Sequence, residues 1–302
     1  MAQNNQITNF NVESLIPDNI NMVIKPYKID FDIQSDISVA NALRRIAMDE
    51  IPTKIIDCIN DDFLTNDEFL MTTSNYIFNR INQITLNQNI PDNSKFKLYI
   101  ENNTPNPINI TAYDFKGINK YCNNTVICKL QPECFISINA FTKYGIGTLN
   151  GLHQLCYKAI CYPNGFNLNQ NLNLKNSSLF VEHNNHHITL ECNGEIPSNK
   201  LLPLCIKNIN QRLKKLKTES ILEDQLDDVV EFTIIGETHT IGNLIVNHFL
   251  DKFPQIGFIN YNVHPNYNDC KIKIRHHNID EVKQMFLDTI DHIIDIFKSI
   301  KF

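Results

Sequence analysis

The chain has 302 residues and the composition of an ordinary globular protein, 42% hydrophobic and 20% charged. Its formal net charge of −6 makes it a poor candidate for neutralising many phosphates of a nucleic acid. Its nine cysteines include no Cys-x-x-Cys pair, its first ten residues are polar, and it has no 18-residue apolar run. We therefore expect free thiols in a reducing compartment, with no signal peptide and no membrane span.

The first 52 residues predict a strand followed by a short helix. Residues 1–20 are expected to be weakly ordered, whereas residues 22–33 alternate apolar and polar positions as a half-buried strand does. Asp36 or Ser38 can cap the next helix, and Pro52 ends it. The apolar residues of this helix form one stripe: Val39, Ala42, Leu43, Ile46 and Ala47.

Residues 58–175 differ in character, because short strand-like runs alternate with turn residues. They predict a β-rich insert, with one helix within 69–86. Strand alternation returns over 178–192, and a helical stripe runs from Leu201 to Leu216. Arg212 and nearby lysines lie at the C-terminal end of that helix, where cations suit the helix dipole.

Residues 218–228 are polar and predict a linker or a helical connection. Thr240 is expected to cap a helix over 241–253. A strand pair over 256–263 and 270–275 follows. The strongest helix signal of the chain, residues 280–299, has a broad apolar face and spans about 30 Å.

One pattern occurs twice, in residues 39–52 and 241–254: a β-branched residue, a small residue, an Asn and a terminating Pro. Each copy follows a strand-like run and precedes a strand and a long amphipathic helix. Two such units can pack against each other, which predicts an internal dimer with an α+β fold. The predicted regions are 1–57 and 176–217 for the first half, 58–175 for its insert, 218–228 for the linker and 229–302 for the second half.

Motifs for chemistry are weak. The glycines at 145, 147 and 151 have the wrong spacing for a nucleotide loop. We expect the histidines at 183, 186, 187, 276 and 277 to lie at strand ends on the surface, without the convergent ligands that a metal needs. No carboxylate cluster or nucleophile pattern is legible. The sequence therefore predicts no catalytic residue, no metal and no cofactor.

The repeated segments also carry a family resemblance. Residues 39–53 (VANALRRIAMDEIPT) resemble the signature of the larger alpha-like subunit of multisubunit RNA polymerases. Residues 237–244 (ETHTIGNL), with Tyr261 and His264-Pro265 downstream, resemble the smaller alpha-like subunit. Residues 143–147 and 190–216 match further segments of the larger subunit. These subunits are usually separate chains, and their fusion is similar to the fused subunit of large DNA viruses with their own transcription apparatus.

The resemblance implies a non-catalytic platform on which the two largest polymerase subunits assemble. It implies small zinc-binding assembly subunits as further partners, only indirect contact with template DNA and RNA, and a location in the virion and host cytoplasm. It also implies an internal pseudo-dimer that needs no separate alpha-like partner. Residues 59–121 contain no cysteine, so the metal or iron–sulfur site of some relatives is not expected here. The competing class is a standalone nucleic-acid-binding or metal-dependent protein, outside any polymerase.

The resemblance and the repeat together select the candidate site residues. Arg44 and Arg45 are expected opposite the apolar stripe, either as solvated charges or as contacts to the second-largest subunit. Asn41 and Asn243 occupy equivalent places and are expected to fix the start of each helix by a side-chain hydrogen bond. The predicted partner interface is Asn41, Arg44, Arg45, Glu50, Pro52, Glu237, His239, Thr240, Gly242 and Asn243. The predicted pairing residues of the two long helices are Leu201, Leu204, Ile209, Leu213, Met285, Phe286, Ile290, Ile293 and Phe297.

Overall fold

The structure is a computed structural model that describes residues 5–17, 19–58, 62–147, 154–164, 184–218, 222–226, 228–263 and 269–301. The strands are β1 (Gln6–Ser14), β2 (Tyr27–Gln34), β3 (Thr53–Cys58), β4 (Leu64–Thr65), β5 (Lys95–Glu101), β6 (Ile108–Thr111), β7 (Val126–Leu130), β8 (Phe135–Gly145), β9 (Cys156–Pro163), β10 (Asn185–Cys192), β11 (Leu222–Leu226), β12 (Val229–Ile235), β13 (Ile259–Val263) and β14 (Asp269–Arg275). The helices are α1 (Ile37–Arg45), α2 (Glu68–Thr72), α3 (Ser74–Asn82), α4 (Ser198–Thr218), α5 (His239–Lys252) and α6 (Ile279–Ser299).

Two four-stranded antiparallel sheets share one topology. The order is β1-β2-β10-β9 in the first half and β11-β12-β14-β13 in the second. In each half a hairpin leads into a short helix, a second hairpin follows, and a 21-residue helix closes the unit. The insert interrupts only the first half. This repeat is the predicted α+β fold with two related halves.

Two segments that were not predicted as strands form the equivalent edge strands of the two sheets. β1 pairs with β2 from Gln6 opposite Gln34 to Ser14 opposite Tyr27. Likewise β11, inside the predicted linker, pairs with β12 along its whole length. Sequence alternation missed β1 because every side chain except that of Ile7 is exposed. An edge strand held mainly by backbone hydrogen bonds needs no apolar pattern.

The insert has its own sheet and its own core. β8 pairs with β3 and β4 on one side and with β5 on the other, and β6 and β7 form a separate hairpin. This sheet begins at Thr53, before the predicted start of the insert at 58. β9 lies within the predicted insert, 58–175, but pairs with β10 in the sheet of the first half. The predicted helix over 69–86 is two helices, because α2 ends at Thr72.

One hydrophobic core runs through both halves. α4 packs against α6, and α1 packs against α5. Of the predicted pairing residues, Leu204 and Met285 are partly buried and the others are fully buried. Aligning the two 21-residue helices residue by residue superposes most of their buried positions, with Leu201 opposite Val282 and Ile209 opposite Ile290. The helices are thus equivalent parts of the repeat.

All nine cysteines are free thiols, and the sulfur atoms of Cys156 and Cys192 lie 3.1 Å apart on neighbouring strands. Among the residues described, no helix is both long enough and apolar enough to cross a membrane.

Candidate partner interface

The two motif helices begin in the same way. Asp36 caps α1 by accepting a hydrogen bond from the backbone N–H of Ser38, and Thr238 caps α5 by accepting one from Thr240. The prediction that Thr240 is itself the cap was wrong. Thr240 lies inside the first turn, and its side chain faces the other half. α1 continues as a π-helical turn, Ile46–Glu50, which is a common feature of functional sites.

A buried group of charges joins the two halves at the start of α5. Arg212 of α4 donates to Glu237 through Nε (3.1 Å) and Nη2 (2.5 Å), and its Nη1 bonds Glu50. Thr240 donates to Glu50 and accepts from Arg45 Nε at 3.1 Å. The side chains of Glu50 and Glu237 are only 2% and 8% exposed. We term these five residues the ionic junction; its two cations and two carboxylates balance.

Arg212 was missed as a site residue, since the sequence assigned it only to the basic end of its helix. Burial alone lowers the pKa of Arg212, but the hydrogen bonds and negative charge of Glu237, with those of Glu50, outweigh burial and raise the net pKa above its usual value. The signal that could have found it is the alignment of the long helices, because Arg212 falls opposite Ile293, which is fully buried.

The equivalent place at the start of α1 has different chemistry. Ser38 Oγ lies 3.3 Å from Nε2 of His248, a ring that is only 4% exposed. The ring of His292 on α6 packs edge-on against it, with centroids 5.9 Å apart. Burial, and the positive charge of His292, lower the pKa of His248, against the opposing effect of Asp36 and Asp251. We term Ser38, His248 and His292 the histidine junction.

Beside the ionic junction, α1 and α5 form a surface groove of about 180 Å³ whose walls come from both halves. Five predicted interface residues meet there: Asn41, Arg45, His239, Thr240 and Asn243. The other lining residues are Ser38, Ala42 and Tyr261. We term this the motif groove. Because each half supplies one wall, the groove exists only while the halves are paired.

Both arginines of the first motif bond to other residues of this chain. The sequence predicted them either as solvated charges or as contacts to a partner subunit, and neither prediction included such internal bonds. Arg44 donates through Nε to Asn41 (2.9 Å) and through Nη1 to the carbonyl of Ala159 (3.3 Å). Burial lowers the pKa of Arg44, and the charge of Arg45 adds to this effect. Arg45 belongs to the ionic junction, with its side chain 32% exposed in the motif groove. Both groups therefore have structural partners besides any docking role.

The remaining predicted residues fall in different places. Glu50 and Glu237 are buried in the ionic junction, and Pro52 is exposed at a separate cleft. Gly242 is buried, and a Cβ there would lie 2.6 Å from Tyr261 Cδ2 and 2.7 Å from Cys270 Sγ. Gly242 thus permits close packing of α5 on its sheet and does not face a partner.

The two asparagines of the motifs bond along their own helices. Asn41 accepts from Arg44, and Asn243 accepts from Asn247 at 3.2 Å. The predicted bond to the start of the helix was wrong, since each asparagine stabilises the next turn of its helix.

The histidines and glycines that were considered for ligand binding form no site in the described residues. His186 is buried, and His187 lies 2.7 Å from Asp32 Oδ1 on the neighbouring strand. In the part of the chain that the structure describes, no group of His, Cys, Asp or Glu is placed to hold a metal ion. His183, Gly151 and the turn containing His264-Pro265 lie outside the described residues.

Family models match the chain twice, and both are the RNA polymerase Rpb3/Rpb11 dimerisation domain. The matches cover residues 31–213 and 229–301. The first spans more than half of the chain, so the chain belongs to this family of non-catalytic RNA polymerase subunits. The two matches confirm the resemblance, with two such dimerisation domains in one chain, and they imply association with other polymerase subunits. A protein unrelated to any polymerase is thereby excluded.

Two curated relatives are fused proteins of the same kind. The chain is 27% identical over 301 residues to the "DNA-directed RNA polymerase RPB3-11 homolog" of African swine fever virus (isolate Tick/Malawi/Lil 20-1/1983). It is 26% identical over 318 residues to the homologue from isolate Pig/Kenya/KEN-50/1950. Each similarity covers 87% of this chain and 83% of the relative.

Proposed function

We propose that this chain is the assembly platform of a viral DNA-directed RNA polymerase, on which the two largest catalytic subunits associate. The observation that supports this most directly is the motif groove, which brings the two family motifs together on one surface. Because both halves form the groove, only a correctly paired platform presents it to a partner. Docking there would therefore follow pairing.

Fusion simplifies the pairing step. α4 ends at Thr218 and β11 begins at Leu222, so few residues of the sequence separate the two halves. A connection this short holds the halves at an effective concentration of order millimolar, and it fixes their one-to-one ratio. No separate alpha-like partner is needed, because the chain buries its own pairing face.

The lining of the motif groove fits an acidic side chain of a catalytic subunit. Arg45 supplies a partly exposed guanidinium, whose planar fork suits a carboxylate. His239 is exposed and packs edge-on against Tyr261, with ring centroids 5.8 Å apart. Asn41 and Asn243 add amide groups on the opposite walls. Aromatic and arginine side chains of this kind commonly anchor protein interfaces.

The test is co-expression of the tagged chain with the two largest subunits of the same virus. Reversing Arg44 and Arg45 would bring a carboxylate beside Glu50 and confound folding with docking. We therefore choose His239→Glu with Asn243→Glu, outside the ionic junction. We expect about tenfold less co-purified catalytic subunit, since introduced negative charge would repel an acidic partner.

The matched control is Asn260→Glu with Asn262→Glu, two exposed positions of β13 that flank Tyr261 and lie on the opposite face of the strand from this groove residue. It should leave co-purification unchanged, and light scattering should show the same monomer for all three proteins. Equal recovery with the groove variant would refute docking at this groove. Loss of recovery with the control would mean that negative charge anywhere on this half impairs assembly.

The family and the viral relatives support the rest of the proposal. We include small zinc-binding assembly subunits as further partners and only indirect contact with DNA and RNA. We also propose a location in the virion and host cytoplasm. Immunoblotting of purified particles and of fractionated infected cells tests that location.

A further inference from the structure

A second concave surface lies between the insert and the first half. It encloses about 400 Å³ and includes Pro52, the predicted interface residue that the motif groove leaves out. Its walls are Val23–Lys25, Ile51–Thr53, the insert loop 87–89, the turn 194–197, Lys200 and Leu204. We term this the insert cleft. Junctions between structural units are favoured positions for ligand sites.

Hydrogen bonds across the cleft hold its walls in place. Asn123 of the insert accepts from the backbone N–H groups of Val23 (2.9 Å) and Ile24 (3.1 Å), and it donates to the carbonyl of Ile24 (2.7 Å). Glu195 accepts from the backbone N–H of Leu86 at 2.9 Å. The cleft is therefore formed before any partner arrives, which lowers the entropic cost of binding.

Gly194 allows one wall to close tightly. Its φ is +90°, and a Cβ there would lie 2.3 Å from the carbonyl oxygen of Lys25. Only glycine fits both the backbone conformation and this close approach. The turn that leads from β10 towards α4 is thus packed directly against the segment before β2.

The lining of the insert cleft combines apolar surface with positive charge. Val23 is 40% exposed, and Pro52, Pro197 and Leu204 add apolar surface beside the buried Ile51 and Ile196. Lys25 and Lys200 are both exposed in the wall. Among the described residues that line the cleft, the one carboxylate, Glu195, is buried and bonded to the insert.

We propose that the insert cleft binds an acidic, apolar segment of a partner protein. Aliphatic side chains of that segment contact the apolar lining, and its carboxylates lie beside Lys25 and Lys200. That the partner is another polymerase subunit rests on the proposed function, whereas the recognition chemistry does not. The platform then has two contact surfaces, the motif groove from both halves and the insert cleft from one half and its insert.

The experiment measures fluorescence anisotropy of a fluorescein-labelled hexapeptide of alternating Asp and Leu, titrated with the full chain. We expect saturable binding that weakens as salt rises. Lys25→Glu with Lys200→Glu should weaken it about tenfold, since two attractive charges become repulsive. The control, Lys95→Glu with Lys97→Glu, reverses two exposed lysines on the insert and should stay within about twofold of wild type.

Val23→Asp tests the apolar contribution and should weaken binding with an unchanged circular dichroism spectrum. No binding to wild type, or equal loss in the Lys25/Lys200 and Lys95/Lys97 variants, would overturn the proposal. Displacement of the peptide by micromolar inorganic triphosphate would overturn it in favour of an anion site. The peptide result is independent of co-purification with the catalytic subunits, so failure of the proposed function would be seen separately.

Discussion

The ionic junction and the histidine junction occupy equivalent positions in the repeat and solve the same packing problem differently. Thr240 and Ser38 stand at the same place in the two motif helices, and each directs a hydroxyl to the other half. Thr240 meets a charge-balanced group of arginine and glutamate. Ser38 meets one buried imidazole. The backbone repeat is therefore symmetric, whereas the contacts that join the halves are not.

The difference favours pairing of unlike halves. In the repeat, Glu237 corresponds to Ser35, Glu50 to Lys252, and Arg212 to Ile293. Two first halves paired in the same way would offer Arg212 a serine in place of Glu237. Two second halves would set Glu237 against an isoleucine. A pair of first halves leaves Arg212 with Glu50 alone, so the charges no longer balance, and a pair of second halves leaves Glu237 buried without an arginine; both are costly.

The largest expected effect is that of removing the cation of the ionic junction. Arg212→Met leaves Glu50 and Glu237 buried without their shared partner, and we expect a loss of about 3–5 kcal/mol in the free energy of unfolding. Guanidinium denaturation followed by circular dichroism measures it. The matched control is Ile293→Met, the same residue introduced at the equivalent position, which should cost less than about 1.5 kcal/mol. Equal losses in the two variants would show that the charges contribute nothing.

A smaller difference is expected between the two hydroxyl groups. Thr240→Val removes a donor to the buried Glu50 carboxylate, which should cost about 1.5–3 kcal/mol because the bond is to a charged group. Ser38→Ala removes a bond to a neutral ring and should cost about 0.5–1.5 kcal/mol. The same denaturation assay compares them. A larger loss for Ser38 would reverse the ranking of the two junctions.

The sequence predicted those parts of the fold in which an element buries one face. The apolar stripes of α4 and α6 predicted both long helices to within three residues at each end. The motifs predicted that Asn41, Arg45, His239, Thr240 and Asn243 belong together, and the structure brings them into one groove. Each stripe and each motif is local in the sequence, so that periodicity and motif identity suffice to find it.

Features that depend on tertiary contacts could not be predicted from the sequence. β11 has a polar sequence and exists because β12 provides a backbone partner. Arg212 lies at a position that is apolar in the equivalent helix, and it is stable there only because two carboxylates from other segments meet it. Glu50 reaches that group from a π-helical turn that no single-sequence pattern predicts. Each depends on residues distant in the chain.

The smallest expected effect concerns pH at the histidine junction. The pKa of His248 is lowered in the folded state, so the unfolded chain takes up protons first. The resulting stability is complete above the ordinary histidine pKa of 6.5 and is lost as the pH falls below it towards the folded pKa. His248→Ile places at this position the residue type that the first half has at the equivalent Ile46, and it should flatten the fall in unfolding free energy below pH 6.5. Part of the slope should remain, because burial also lowers the pKa of His186. Identical slopes in variant and wild type would mean that Asp36 and Asp251 offset the burial of His248, and the two junctions would then respond alike to acid.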